Sequence, residues 1–172
     1  MATVTAHCTI PTGAPGGNWS LINGTNTSTN LAASGDGLLI GLTDDLSGET
    51  SHLRGFDWSA ILAGSVINSV TVVYFAGMVS TGAGTVCPFN AKIYLGANST
   101  SGASNTPTVT FTTYTDANMA RPGGGSWSYS DLANLQATMN NAGTGTNTKV
   151  NRVDEFKIIV DYTPPGLKTI TW

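Results

Sequence analysis

Two stretches of this chain place an apolar side chain at every second residue, and they constrain the fold more than anything else in it. In Val66–Met78, Val70, Val72 and Tyr74 fall on one face and Thr71, Val73 and Phe75 on the other. In Val150–Tyr162, Phe156, Ile158, Val160 and Tyr162 alternate with Lys157, Ile159 and Asp161. A period of two belongs to a pleated strand, whose successive side chains point to opposite faces. The β-branched density of the first run works against a helix. Both runs are expected as long strands, lining two β-layers that face each other.

Shorter apolar runs between turn signals fill in the rest. Trp19, with Leu21 and Ile22, reads as a short strand anchored inside the polar Gly13–Asn30 segment. Leu38–Ile40 follows a Gly-Asp-Gly turn, and Leu53–Trp58 carries Leu53, Phe56 and Trp58. Val86–Leu95 puts Phe89, Ala91, Ile93 and Leu95 on one side, with Pro88 at a strand start or edge. Gly96–Pro107 reads as a polar loop, and Val109–Tyr114 as a strand with Val109 and Phe111 inward. Leu132, Leu135 and Met139 stand at i, i+3 and i+7, so residues 130–139 are expected as a short helix, N-capped by Ser130 with Asp131 in its first turn. Seven or eight strands with one late helix and no alternating βαβ units give an all-β class. The expected fold is an antiparallel jelly-roll-like β-sandwich over residues 1–163, followed by a C-terminal tail at 164–172.

Composition narrows the function classes. Thr, Ser, Asn and Gly make up 76 of the 172 residues, and charged residues only 10%, against about 25% in an average soluble domain. Such side chains compete with helical hydrogen bonds and favour turns and strand edges. The seven Lys and Arg are scattered and the net charge is −3, so no basic stripe suits a nucleic acid. No apolar run is long enough for a spanning helix. The opening MATVTAHCTIPTG has neither a cationic leader nor an apolar core, so no secretory signal is expected and folding is expected in a cytoplasm. Cys8 and Cys87 are the two cysteines, too few for a disulfide framework, and are read as separately buried thiols. His7 and His52 lie far apart with no zinc-type spacing. No metal and no cofactor are expected.

Each candidate site also has a plainer reading. Catalysis by paired carboxylates needs two acids with separated pKa values. The chain has two glutamates, Glu49 and Glu155, and Glu155 reads as a solvated strand residue. Ser51 and His52 are adjacent, so on a strand they point apart; no catalytic residue is assigned. Asp44, Asp45 and Glu49 with Thr43 offer oxygen ligands to a hard cation such as Ca²⁺, but read first as a solvated acidic turn. Among the tryptophans, Trp58 and Trp127 sit with other apolar residues and read as core. Trp19 divides between core anchor and exposed contact. Ile170 and Trp172 in the tail read as partner-binding residues, since an apolar tail gains by docking. Sequons at Asn18, Asn23, Asn26 and Asn98 are read as accidents of composition.

The order of landmarks resembles a family of bacteriophage virion proteins. Asn18-Trp19, the Ile67-Asn68-Ser69-Val70-Thr71-Val72 strand, Trp127 with Asp131-Leu132, and Val153 to Thr163 fall in the family's order over residues 17–163. The resemblance implies a β-sandwich of the kind used in capsid decoration, head fibres and tail appendages, and one similar to carbohydrate-binding modules. It implies no catalytic residue. The first function expected is therefore a non-enzymatic capsid decoration (cement) protein of the virion. It would act as a homo-oligomer, with a trimer guessed, on the major capsid protein or other virion proteins. The alternative is a carbohydrate- or receptor-binding module of a phage tail or fibre, with a glycan partner.

Overall fold

The structure is a computed structural model that describes residues 1–8, 19–21, 40–42, 53–78, 86, 88–141 and 151–166. Among these residues run nine strands and one helical turn: β1 (Ala2–His7), β2 (Trp19–Leu21), β3 (Ile40–Leu42), β4 (Val66–Met78), β5 (Phe89–Leu95), β6 (Asn98–Ser101), β7 (Thr112–Asp116), α1 (Tyr129–Leu132), β8 (Leu135–Asn141) and β9 (Asn151–Thr163). The larger sheet has the order β2-β3-β9-β4-β7, with β1 also paired to β9; the smaller has the order β6-β5-β8. Every pairing is antiparallel. From β6 onward the chain changes sheet at each new strand, a crossing pattern of jelly-roll sandwiches.

The two periodic runs are strands, with β4 bounded as the alternation places it. They do not face each other across the core, however. β4 and β9 are neighbours in one sheet, in register from Val66↔Thr163 to Met78↔Asn151. Alternation fixes which face a side chain takes, but it does not name the partner strand. Two register shifts, between Ile67 and Ser69 and between Phe75 and Ala76, interrupt the ladder. From the shared inner face Val70, Val72, Tyr74, Phe156, Ile158 and Val160 enter the core. Phe89, Ala91, Ile93, Leu135, Ala137 and Met139 meet them from the smaller sheet. Tyr74 joins the layers: its ring lies edge-on to Phe89 at 5.8 Å and stacks on Tyr114 at 5.4 Å.

The helix expected at 130–139 is a single turn, α1, and residues 135–141 are strand β8. Leu135, Ala137 and Met139 are all buried, so the same apolar residues satisfy a period of two. Pairing with β5, Leu95↔Leu135 to Phe89↔Asn141, completes the smaller sheet, and this ladder overrides the weak helical signal. The cap is Ser128 rather than Ser130, and its N–H donates to Asp131 Oδ2 at 2.8 Å. Leu53–Trp58 is no continuous strand: only Leu53, which pairs with Ala137, and Arg54 are bridge residues, although Leu53, Phe56 and Trp58 are buried. The expected loop Gly96–Pro107 contains β6. Val109 is exposed, and Phe111 packs on Phe75. Glu155 is buried, accepting a hydrogen bond from Lys157 Nζ at 2.9 Å with His7 Nε2 at 3.4 Å.

Candidate functional site

A groove runs along the segment that links β7 to α1. Its first depression, about 350 Å³, lies between the start of β4, at Ile67–Ser69, and the 118–127 segment with Arg121 and Trp127. A second, about 430 Å³, opens between the edge strands β6 and β7 and is lined by Thr100, Ser101, Gly102, Thr115 and Asp116. Asn118, Met119 and Ala120 border both.

Local chemistry explains why this segment holds its shape. Met119 is buried, and its N–H donates to Val70 O at 2.8 Å, pinning the segment to β4. Trp127 is half-buried, and its indole N–H donates to Met119 O at 2.9 Å, which fixes the plane of the ring beside the first depression. Arg121 closes the loop. Its Nε and Nη2 each donate to an Asp131 carboxylate oxygen at 2.9 Å, and its Nη1 donates to Gly124 O at 2.9 Å. Gly123, Gly124 and Gly125 run through φ of 86°, 83° and 78°, a turn that only glycine enters without strain. Asn118, at φ 52°, is the one non-glycine residue with positive φ among the described residues. Asparagine tolerates that conformation better than most side chains.

Two carboxylates, Asp116 in the groove wall and Asp131 paired with Arg121, stand in opposite electrostatic situations. The Arg121 fork, with help from Ser128, holds Asp131 well below the usual carboxylate range, at about 2. Asp116 follows Tyr114 at the inward parity of β7 and is buried, 7% exposed. Burial pushes its pKa up, while the Ala103 N–H and the Tyr74 hydroxyl pull it back. Its Oδ1 accepts the Ala103 N–H at 2.8 Å, its Oδ2 is shut off from solvent, and the Tyr74 hydroxyl faces the carboxylate. The Tyr74 hydroxyl accepts from Asn105 Nδ2 at 2.7 Å, and burial followed by the Asp116 charge raises its own pKa.

Of the residues singled out from sequence, Trp58 is core, and Trp127, half-buried and packed against the core, also lines the groove. Trp19 pairs through its backbone with Leu42 in β2–β3, remote from the groove in chain and sheet. Ile170 and Trp172 lie outside the described residues, as do Asp44, Asp45, Glu49 and His52. Cys8 is a free, buried thiol pushed up to about 12 by burial; Cys87 lies outside the described residues. Sequence reasoning missed Asp116, Asn118 and Arg121. The Arg-Pro-Gly-Gly-Gly run was the available signal, since three consecutive glycines beside a cation mark a loop of special backbone geometry.

No family model matches the chain. No curated protein matches it either. Among solved structures it is similar to the CBM22-1 xylan-binding domain of Xyn10C from Paenibacillus barcinonensis, at 12% identity. That similarity covers 90% of this chain and 92% of the other, with a TM-score of 0.45.

Proposed function

We propose that this chain is a non-catalytic β-sandwich module that binds carbohydrate in the groove along residues 117–127. The observation that carries this reading is the fixed, half-buried indole of Trp127 beside neutral hydrogen-bonding side chains. A sugar ring has an apolar C–H face and a rim of hydroxyls. Rigid aromatic surface suits the face, and amides and hydroxyls, which both donate and accept, suit the rim. Asn68, Ser69 and Asn118 supply such groups around the first depression.

Native gels cast with soluble xylan, β-glucan or mannan test the proposal; xylan is included because the structural neighbour is described as binding it. Retardation by at least one polysaccharide is expected, and Trp127→Ala should weaken binding about tenfold, the scale of losing one well-placed aromatic contact. Unretarded migration on all three would overturn the reading.

A second reading, a capsid decoration protein, is favoured by the order of the sequence landmarks. It rests on the phage-like succession of Asn18-Trp19, Ile67–Val72, Trp127 and Val153–Thr163. Low charge also suits it, because few long charged side chains then lose rotamer freedom against a partner. Stoichiometric binding to expanded, undecorated phage capsids, with no retardation on the glycan gels, would select this reading over the first.

A further inference from the structure

β1 forms a sheet edge without the usual protection. One side of the strand pairs with β9 in unbroken register, from Ala2↔Tyr162 to His7↔Lys157. Among the described residues no strand pairs with its other side: β3 takes the far end of β9, at Asn151–Val153, and β2 pairs with β3. A row of unpaired N–H and C=O groups is a template for another strand, and native sheets blunt such an edge with a proline, a lysine or a bulge. Ala2–Ala6 holds no proline and no charge, and its register holds no bulge. Its inner face is incompletely covered as well. Ala6 is buried, whereas Ala2 and Val4 pack on the core and stay partly exposed.

We infer that β1 is a dimer interface, which joins a second copy of this chain edge to edge so that the two larger sheets continue as one. The observation that selects a second copy over an unrelated extended peptide is the strand's own sequence. Ala2-Thr3-Val4-Thr5-Ala6 reads the same in both directions. A two-fold interface needs a patch that complements itself, and two antiparallel copies of this palindrome do so when centred on Val4. Each Thr3 then stands opposite the partner's Thr5, each Ala2 opposite the partner's Ala6, and the two Val4 opposite each other. Parity sorts these pairs correctly. Thr3 and Thr5 are exposed on the outer face, where cross-strand threonine pairs are favourable, and Thr3 is already held by its hydrogen bond to Asp161 Oδ1 at 2.8 Å. Ala2 and Val4 lie on the inner face, and the added strand covers the apolar surface they leave exposed. The groove lies at the opposite edge of the larger sheet, beyond β4, so the inference is independent of what the groove binds.

Sedimentation equilibrium of the full chain over a concentration series tests this. A reversible dimer is expected; a monomer at every concentration, or an assembly that passes through no dimer, overturns the inference. Two double substitutions at the exposed positions then read the register. Thr3→Lys with Thr5→Lys sets lysine against lysine twice across the pair and should weaken dimerisation about tenfold or more. Thr3→Lys with Thr5→Glu sets lysine against glutamate twice at the same positions and should restore it. Dimerisation as strong as wild type in the first variant, or as weak as the first in the second, overturns the inference. Melting curves check that both variants fold. Should either fold poorly, amide hydrogen exchange of the wild type decides. The β1 amides turned away from β9 should gain protection as the concentration rises, and equal exchange in monomer and dimer overturns the inference.

Discussion

The β4–β9 seam and the groove rim belong to the same sheet-rich fold and hold together by opposite means. Along the seam, consecutive inward residues are apolar and fully covered, and the backbone ladder satisfies its own hydrogen bonds. At the rim, three glycines and Asn118 take positive φ, and side chains rather than a ladder satisfy the backbone: Arg121 holds Gly124 O, Asp116 holds Ala103 N–H, and Trp127 holds Met119 O. The seam stabilises by burial, which is proportional to area and indifferent to detail. The rim keeps a shape through specific bonds that contribute little net stability each. A region that spends local stability on geometry is where a binding surface is expected.

Breaking the seam should have the largest effect. Phe156 is fully buried and stacks on Tyr74 with centroids 6.4 Å apart. Phe156→Ala should cost about 3–5 kcal/mol through lost transfer energy and the cavity left behind. Urea denaturation reads this as a lower midpoint with an unchanged slope. A loss under about 1 kcal/mol would mean that the layers repack freely and that the seam is not the stabilising element.

The rim's own fastening is the Arg121–Asp131 fork. Asp131→Asn weakens that fork and the return bond to the Ser128 N–H, and should cost about 1–2 kcal/mol, the range of a lost helix cap. The pH dependence gives the sharper test. The Asp131 carboxyl is depressed to about 2 in the folded chain, against about 3.9 unfolded. Its contribution is therefore complete above the unfolded value and is lost as the pH falls through the folded one. The stability difference between wild type and variant should be constant at neutral pH and should shrink between about 4 and about 2. A difference that persists unchanged in acid would assign the effect to packing rather than to the ion pair.

The contrast also explains what could be read in advance. The seam was legible because a period of two survives in the sequence as a count of apolar residues, and Val70, Val72 and Tyr74 or Phe156, Ile158 and Val160 announce their face unaided. Its pairing was not legible, since two strands of equal length and similar pattern can lie side by side or across a core. Residues 130–139 misled for a related reason: Leu132, Leu135 and Met139 fit a helical stripe, while Leu135, Ala137 and Met139 fit a strand, and the free edge of β5 chose between them. The rim carries no periodic signal. Asp116 looks like one more edge residue after Thr-Thr-Tyr-Thr until Gly102 and Tyr74, distant in sequence, close around it. Glu155 was misjudged likewise, because its burial depends on Lys157 and His7 meeting over the outer face of β9.

The smallest expected effect separates strain that shapes the rim from strain that is incidental. Asn118 holds φ 52° at the point where the two depressions meet. Asn118→Gly removes the steric objection to that conformation but gives the unfolded chain more freedom, so the two contributions nearly cancel and stability should change by less than about 0.5 kcal/mol. Asn118→Ala keeps the Cβ and loses the local polar compensation, so it should cost about 1 kcal/mol. Melting curves of the pair therefore report on the backbone alone. Glycan retardation reports on the side chain, because both variants remove the same amide. If alanine and glycine weaken binding equally while differing in stability, the amide is a ligand contact. If only alanine weakens it, Asn118 serves the rim by the conformation it tolerates, and the binding groups are its neighbours on either side.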